Sequence, residues 1–278
     1  MLQRMASGES RTLAQQRHDQ IVNEVDVRGA ARVTDLANLL GVSDMTIRRD
    51  LEALDEAGRV VKVHGGATAV AHHVRDEPGF VVKSMRNVDE KLQIARAAAP
   101  RVVPGGTVGL TAGTTTWRLA AEITSVADLT VVTNSLRVVE VFTGHPRPDR
   151  TVILTGGVRT RSDAMVGSIA VAALRTLHVD TLFAGVHGFS ARAGCTTPNL
   201  LESDTNRAFV RAAGQTVVLA DHTKWDVTGL SSFADLEEID AVVTDDGLDA
   251  AAAEVLSSCV KDVMIVPTHP EADDRLRA

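Results

Sequence analysis

Residues 43–66 read Ser-Asp-Met-Thr-Ile-Arg-Arg-Asp-Leu-Glu-Ala-Leu-Asp-Glu-Ala-Gly-Arg-Val-Val-Lys-Val-His-Gly-Gly, and the fold of the N-terminal part follows from them. Ile47, Leu51 and Leu54 fall at i, i+4 and i+7, so they share one buried face of a helix. Ser43 has a hydroxyl that can accept hydrogen bonds from the first-turn N–H groups, and Gly58 can close the helix in a left-handed conformation. The opposite face carries Met45, Arg49, Glu52 and Glu56, flanked by Thr46 and Arg48.

A helix macrodipole favours acids in the first turn and bases in the last, each by about 0.3–1 kcal/mol. Here Asp44 obeys that order, but Arg48 and Arg49 come early and Glu52, Asp55 and Glu56 late. A helix that pushes its N-terminal half into a DNA major groove needs this arrangement. Taken alone, the helix is equally well read as an amphipathic helix with a solvated charged face.

The flanking segments decide between the two. Upstream, Val33, Leu36, Ala37 and Leu40 repeat at helical spacing with Thr34 as a candidate cap, and Gly41-Val42-Ser43 supplies a tight turn. Earlier still, Ile21, Val22 and Val25 mark a first helix ending at Arg28-Gly29. Downstream, Val61 and Val63 alternate with Lys62 and His64, and Gly65-Gly66 turns the chain back into Ala67-Thr68-Ala69-Val70. No acid occurs from Ala57 to Arg75, where Arg59, Lys62, His64, His72, His73 and Arg75 stand. Three helices and an acid-free wing suit a phosphate backbone.

Length and composition bound the rest. A chain of 278 residues holds two domains, and 44% hydrophobic content with 3% aromatics and no Tyr suits an Ala/Val/Leu-rich cytoplasmic α/β protein. Cys195 and Cys259 form no disulfide framework or metal spacing, and no apolar run reaches the roughly 18–20 residues that span a bilayer. The net charge of −7 is confined to one part: residues 1–75 carry 10 Lys/Arg against 10 Asp/Glu, and residues 76–278 carry 19 against 26. Such a neutral reader argues against strong non-specific DNA binding.

The expected organisation is a disordered tail at 1–12, a winged helix-turn-helix domain at 13–70, a linker at 71–85 and an effector-sensing domain at 86–278. From Asn87 onward helices alternate with strands, the pattern of a mostly parallel α/β sheet. Five apolar runs end in small polar residues. Val108 to Thr111 leads into Ala112-Gly113-Thr114-Thr115-Thr116, Leu129 to Val132 into Thr133-Asn134-Ser135, and Thr151 to Leu154 into Thr155-Gly156-Gly157. Thr181 to Ala184 leads into Gly185-Val186-His187-Gly188, and Val217 to Ala220 into Asp221-His222-Thr223-Lys224. Ligands of open α/β sheets bind beyond the carboxyl ends of the strands. At Gly113 to Thr116 a glycine admits close approach, helix N–H groups point outward and hydroxyls add donors, with Lys224 as countercharge. One such loop is usually only a turn; several at one edge point to a small phosphorylated ligand.

The strings Val42-Ser43-Asp44-Met45-Thr46-Ile47-Arg48-Arg49-Asp50-Leu51 and His64-Gly65-Gly66-Ala67 resemble the N-terminal domain of DeoR-family transcriptional regulators over residues 17–70. Residues 86–247 resemble that family's sensor domain, through Glu90-Lys91, Gly113-Thr114-Thr115-Thr116, Val131 to Leu136, Gly156-Gly157, Gly194-Cys195-Thr196-Thr197, and Leu219-Ala220-Asp221 with Lys224. The resemblance implies that Thr46, Arg48 and Arg49 lie on the recognition helix and His64-Gly65-Gly66 in the wing. It also implies a sensor fold like sugar-phosphate isomerases and coenzyme A transferases, a phosphorylated sugar or polyol effector, repression of a catabolic operon and a homo-oligomer. Two positions depart from the pattern: Thr111 stands where Asp is common, and Asn206 where Lys is common.

The expected DNA contacts are therefore Ser43, Met45, Thr46, Arg48, Arg49, Lys62, His64, Gly65 and Gly66. The expected effector contacts are Gly113 to Thr116, Thr133 to Ser135, Gly156, Gly157, His187, Gly188, Asp221 and Lys224. No cofactor, metal or membrane is expected. An isomerase using Asp221, Lys224 and Glu202 as proton carriers is the competing reading, but it leaves the winged helix without a purpose. A nucleotide-binding protein would need a Gly-x-x-x-x-Gly-Lys-Ser/Thr or a Gly-x-Gly-x-x-Gly opening a helix, and neither occurs. His145, His178, His187 and His222 have no metalloprotein spacing.

Overall fold

The periodicity of Ile47, Leu51 and Leu54 produces a helix in the computed structural model, which describes residues 17–22, 24–25, 30–57, 59–63, 65–68 and 79–268. The expected tail, Gly58, His64, His72-His73 and the first residues of the expected linker lie outside the described residues. The chain divides into two units, Met1–His73 and Val74–Ala278.

The first unit contains α1 (17–22 and 24–25), β1 (Ala30–Arg32), α2 (Val33–Leu40), α3 (Asp44–Glu56), β2 (Val61–Val63) and β3 (Gly66–Thr68). Ile21, Val25, Leu36, Ile47, Leu51 and Leu54 form one buried cluster. Each large aliphatic side chain buried there contributes about 1.5–3 kcal/mol relative to exposure. Gly41 ends α2 at φ 65, a left-handed position that costs glycine little, and its turn hands the chain to α3. Thr34 is not the cap: α2 begins one residue earlier, with Arg32 at the N-cap and no side-chain cap bond.

The wing is a three-stranded antiparallel sheet in the order β1-β3-β2. The short strand β1 pairs Ala31 with Ala67 and Arg32 with Gly66. A Cβ at Gly66 would lie 2.2 Å from the Ala31 carbonyl oxygen, so this pairing requires glycine. Val61 and Val63 are both exposed on the edge strand β2.

The second unit opens with α4 (Phe80–Ser84), inside the stretch expected to be a linker, and α5 (Val88–Ala98). It continues with β4 (Thr107–Leu110), α6 (Thr114–Glu122), β5 (Thr130–Thr133), α7 (Leu136–Gly144), β6 (Thr151–Leu154), β7 (Val158–Arg159), β8 (Met165–Val166) and α8 (Ser168–Leu174). Then come β9 (Val179–Gly185), β10 (Gly188–Ser190), β11 (Gly194–Thr197), α9 (Leu200–Ala212), β12 (Ala213–Leu219), β13 (Ser231–Ala234), β14 (Ala241–Asp245), α10 (Ala250–Cys259) and β15 (Asp262–Val266). A seven-stranded parallel sheet runs β15-β14-β12-β9-β4-β5-β6. The five expected strands lie side by side in it, extended by β14 and β15.

Alternation along the strands builds the two faces. Leu110, Val131, Phe183 and Leu219 pack against Ile94, Leu119 and Val138 of α5, α6 and α7. Their neighbours turn the other way: Val132, Leu182 and Ala184 meet Leu174 and Phe209 of α8 and α9, and Val218 and Val242 meet Leu256 of α10. The result is a helix–sheet–helix sandwich. No described helix is long and apolar enough to cross a membrane.

Candidate functional site

On α3, Ser43 accepts the Thr46 N–H at 3.3 Å, and its hydroxyl lies 2.9 Å from the Thr46 hydroxyl, so Ser43 is the N-cap. Arg48, Arg49 and Met45 are exposed, Met45 at 61%, while Ile47 and Leu51 point inward. Asp50 is buried as well. Its carboxylate takes Nε of Arg17 at 2.6 Å and Nη2 at 3.1 Å, with His18 Nε2 at 2.9 Å from Oδ1. Burial alone would push the Asp50 carboxyl up, but the bonds from Arg17 and His18 outweigh it and hold it below the usual carboxylate range. Asp50 thus lies on the inward side of α3 with Ile47, Leu51 and Leu54 and ties the helix to Arg17 and His18.

The wing's cation is engaged differently from the expectation. Lys62 Nζ donates to Glu52 Oε1 at 2.6 Å, and Asp55 Oδ1 accepts the Lys62 N–H at 2.8 Å. The late acids of α3 thus brace the wing. Such an exposed pair contributes at most about 1 kcal/mol, so a phosphate can displace it. Gly65 is exposed in the turn at φ +83, and Gly66 is buried in the sheet.

In the second unit all strands of the large sheet are parallel, so the five expected loops emerge at one edge. The order reverses direction between β4 and β9, the kind of switch point at which open α/β sheets bind ligands. There α6 starts from Gly113 with no side-chain cap bond, leaving its first-turn N–H groups available. Behind them Thr116 donates to the Thr111 carbonyl at 2.7 Å, and Thr111, fully buried, accepts the Gly185 N–H at 2.9 Å. The residue that departs from the family pattern therefore ties β4 to β9.

Several expected contact residues are engaged within the protein. Thr133, Asn134 and Ser135 are buried: Thr133 donates to the Leu110 carbonyl at 2.6 Å, Asn134 bridges the Ala112 N–H at 2.8 Å and the Met165 carbonyl at 3.2 Å, and Ser135 caps α7. Gly156 and Gly157 sit at φ 72 and 124, and a Cβ on Gly157 would lie 2.4 Å from the Val166 oxygen. Gly188 is buried in β10, 2.2 Å by the same measure from the Val227 oxygen. These positions shape the edge. Gly113, Thr114, His187 and Lys224 keep part of their surface open, whereas Thr115 is buried at 6%.

Asp221 and Lys224 meet residues the sequence reading names only as family markers or not at all. Asp221 is 1% exposed; its Oδ1 accepts from Asn87 Nδ2 at 2.8 Å and from both the N–H and hydroxyl of Thr223, while Oδ2 is buried with no hydrogen-bond partner. Burial works against its charge, yet Lys224, Thr223, Lys91 and Asn87 together hold the carboxyl below its ordinary range. Lys91 is 4% exposed, and burial brings its ammonium down to about 8 despite the attraction of Asp221. Two buried or half-buried lysines, one carboxylate with an unused oxygen and a helix N-terminus make up this edge. Glu90-Lys91 was the available signal for Lys91; nothing local marks Asn87. Beside it, His222 Nδ1 lies 2.6 Å from the fully buried Asp245. Cys195 is fully buried, which pushes its thiol up to about 12 and leaves it inert. Among the described residues no group of three or more His, Cys, Asp or Glu could hold a metal.

The two halves match two known domain families, the DeoR-like helix-turn-helix domain over residues 17–73 and the DeoR C-terminal sensor domain over residues 86–246. The chain belongs to the DeoR family of transcriptional regulators. It is 32% identical to the HTH-type transcriptional regulator YulB of Bacillus subtilis, covering 92% of this chain and 98% of that one. It is 34% identical to the HTH-type transcriptional regulator GolR of Listeria innocua (85% and 92%) and 32% identical to a lactose phosphotransferase system repressor of Staphylococcus epidermidis (88% and 97%). A ribose 5-phosphate isomerase A from Methanocaldococcus jannaschii overlaps 50% of this chain and 55% of its own at 17% identity and TM-score 0.37. The protein is thus a DNA-binding transcriptional regulator with a sensor domain.

Proposed function

We propose that the chain represses a sugar or polyol catabolic operon in the cytoplasm, and that a phosphorylated sugar releases it from the operator. In this reading residues 13–70 hold double-stranded operator DNA and residues 86–278 sense the effector. Arg48, Arg49, Thr46 and Met45 enter the major groove behind the Ser43 cap, while Lys62, His64, Gly65 and Gly66 follow the phosphate backbone. A single winged domain reads few base pairs, so a homo-oligomer on repeated half-sites is needed for useful specificity.

The observation that carries the effector reading is the uncapped start of α6 at the same sheet edge as Lys91, Asp221 and Lys224. The phosphate would meet the N–H groups of Gly113 to Thr116 and the ammonium of Lys224, and sugar hydroxyls would donate to Asp221 Oδ2. His187 faces the same edge by its loop. The name of the Staphylococcus epidermidis relative, a repressor of a sugar phosphotransferase system, supports the same class of ligand.

The test is a melting screen against sugar phosphates and their unphosphorylated parents, followed by gel shifts on the chain's own promoter DNA. A true ligand at 100 times its dissociation constant adds about 2.7 kcal/mol and should shift operator affinity about 5–150-fold. Lys224→Ala should keep DNA binding and lose most of that response. Equal responses to phosphorylated and free sugars would overturn the anion site.

A further inference from the structure

The first described element after the wing is α4, and its end is held by the effector edge itself. Lys91 Nζ donates to the carbonyls of Lys83 at 2.7 Å and Arg86 at 2.6 Å, in the last turn of α4 and just past its C-cap Met85. At the next position Asn87 takes a left-handed backbone, φ 49 and ψ 51, and begins α5 without capping it. Its side chain instead donates across to Asp221 Oδ1 at 2.8 Å and to the Thr223 hydroxyl at 3.2 Å. At its other end α4 is pinned by Phe80, whose ring meets Trp117 edge-on at 5.5 Å and lies under the Arg137 guanidinium at 5.2 Å.

We propose that Asn87 and Lys91 are positioning residues that relay occupancy of the Asp221–Lys224 edge to α4, the helix that receives the chain arriving from the DNA-binding unit. The proposal rests on the effector reading above. An ammonium has three donors; two of those on Lys91 serve the end of α4, and an anion drawing on the third pulls the ammonium away from those carbonyls. A ligand hydroxyl on the unused Asp221 Oδ2 pulls on the carboxylate that Asn87 holds. Either event loads the junction between α4 and α5. The left-handed Asn87 backbone is the hinge, a conformation asparagine adopts more readily than most non-glycine residues.

Asn87→Gly separates the relay from the fold, because glycine adopts φ > 0 freely and loses only the amide. In the full chain, hydrogen exchange of residues 80–86 is followed with and without inorganic phosphate, alongside the melting temperature. In the wild type, phosphate should raise the melting temperature and change α4 exchange about 3- to 10-fold, the scale of one hydrogen bond. In Asn87→Gly, which leaves only the Lys91 path, it should raise the melting temperature equally and change α4 exchange clearly less than in the wild type. Equal α4 responses in both proteins would overturn the relay. If phosphate shifts the melting temperature of neither protein, the anion site itself fails, and a ligand-free cycle of Asn87→Gly with Asp221→Ala decides the relay. A double variant whose α4 exchange matches either single one supports it, and additive effects refute it.

Discussion

Asp50→Asn tests how the recognition helix is fixed to the rest of its domain. Asp50 lies at 7% exposure and accepts two bonds from Arg17 and one contact from His18. Asparagine keeps the shape but offers one acceptor oxygen and turns an N–H2 toward a guanidinium donor. A hydrogen bond to a charged group contributes about 1.5–3 kcal/mol. Loss of a fully buried ion-pair partner would cost more, about 3–5 kcal/mol, but Arg17 is 23% exposed and can rehydrate, which favours the smaller figure. In the full chain the amides of Leu51 and Leu54 should therefore exchange about 10- to 150-fold faster in the variant. The pH dependence has a definite sign. A carboxylate whose folded pKa is depressed contributes stability above its unfolded pKa, about 3.9, and loses it as pH falls through the lower folded value. Wild type should show that acid loss below about pH 4 and Asp50→Asn should lack it. Exchange within twofold of wild type, or the same acid loss in both proteins, would refute the anchoring role.

Gly66→Ala should break the β1–β3 pairing, because the added Cβ meets the Ala31 oxygen at 2.2 Å; circular dichroism should report partial unfolding of the wing and gel shifts weaker operator binding. Lys91 binds fewer protons folded than unfolded between about pH 8 and its ordinary value near 10.4, so stability should rise with pH across that window. Urea titrations at both ends of the window should show this rise in wild type and not in Lys91→Met. Effector affinity should fall as pH rises through about 8, where the folded protein loses the Lys91 ammonium.

The parts of the fold that depend on local periodicity were legible. Ile47, Leu51 and Leu54 define α3 without any partner, and five apolar runs define five of the seven parallel strands. The runs at β14 and β15 carry the same apolar pattern. Strand β1 is different: Ala30-Ala31-Arg32 has no apolar alternation, and its extended form comes from pairing with β3. Pro78-Gly79 signals a loop, and α4 exists because Phe80 finds Trp117 and Arg137 in distant elements. At the proposed site, loop chemistry points to one sheet edge but not to the partners its residues have within the protein. Thr133, Asn134 and Ser135 look like ligand contacts until their partners at Leu110, Ala112, Met165 and Val138 are known. Asn87 and Asp50 matter through partners far along the chain, Asp221 and Arg17, and no spacing rule links such pairs.

The most direct measurement of the central claim is the affinity of the full chain for its own promoter DNA, wild type against Arg48→Ala, Arg49→Ala and the double variant. Both arginines are exposed on the outer face of α3, away from Ile47 and Leu51. If α3 reads the operator, each substitution should weaken specific binding by about 1–3 kcal/mol, roughly 5- to 150-fold, with melting of the sensor unit unchanged. A double variant that shifts the promoter fragment as tightly as wild type would contradict the account.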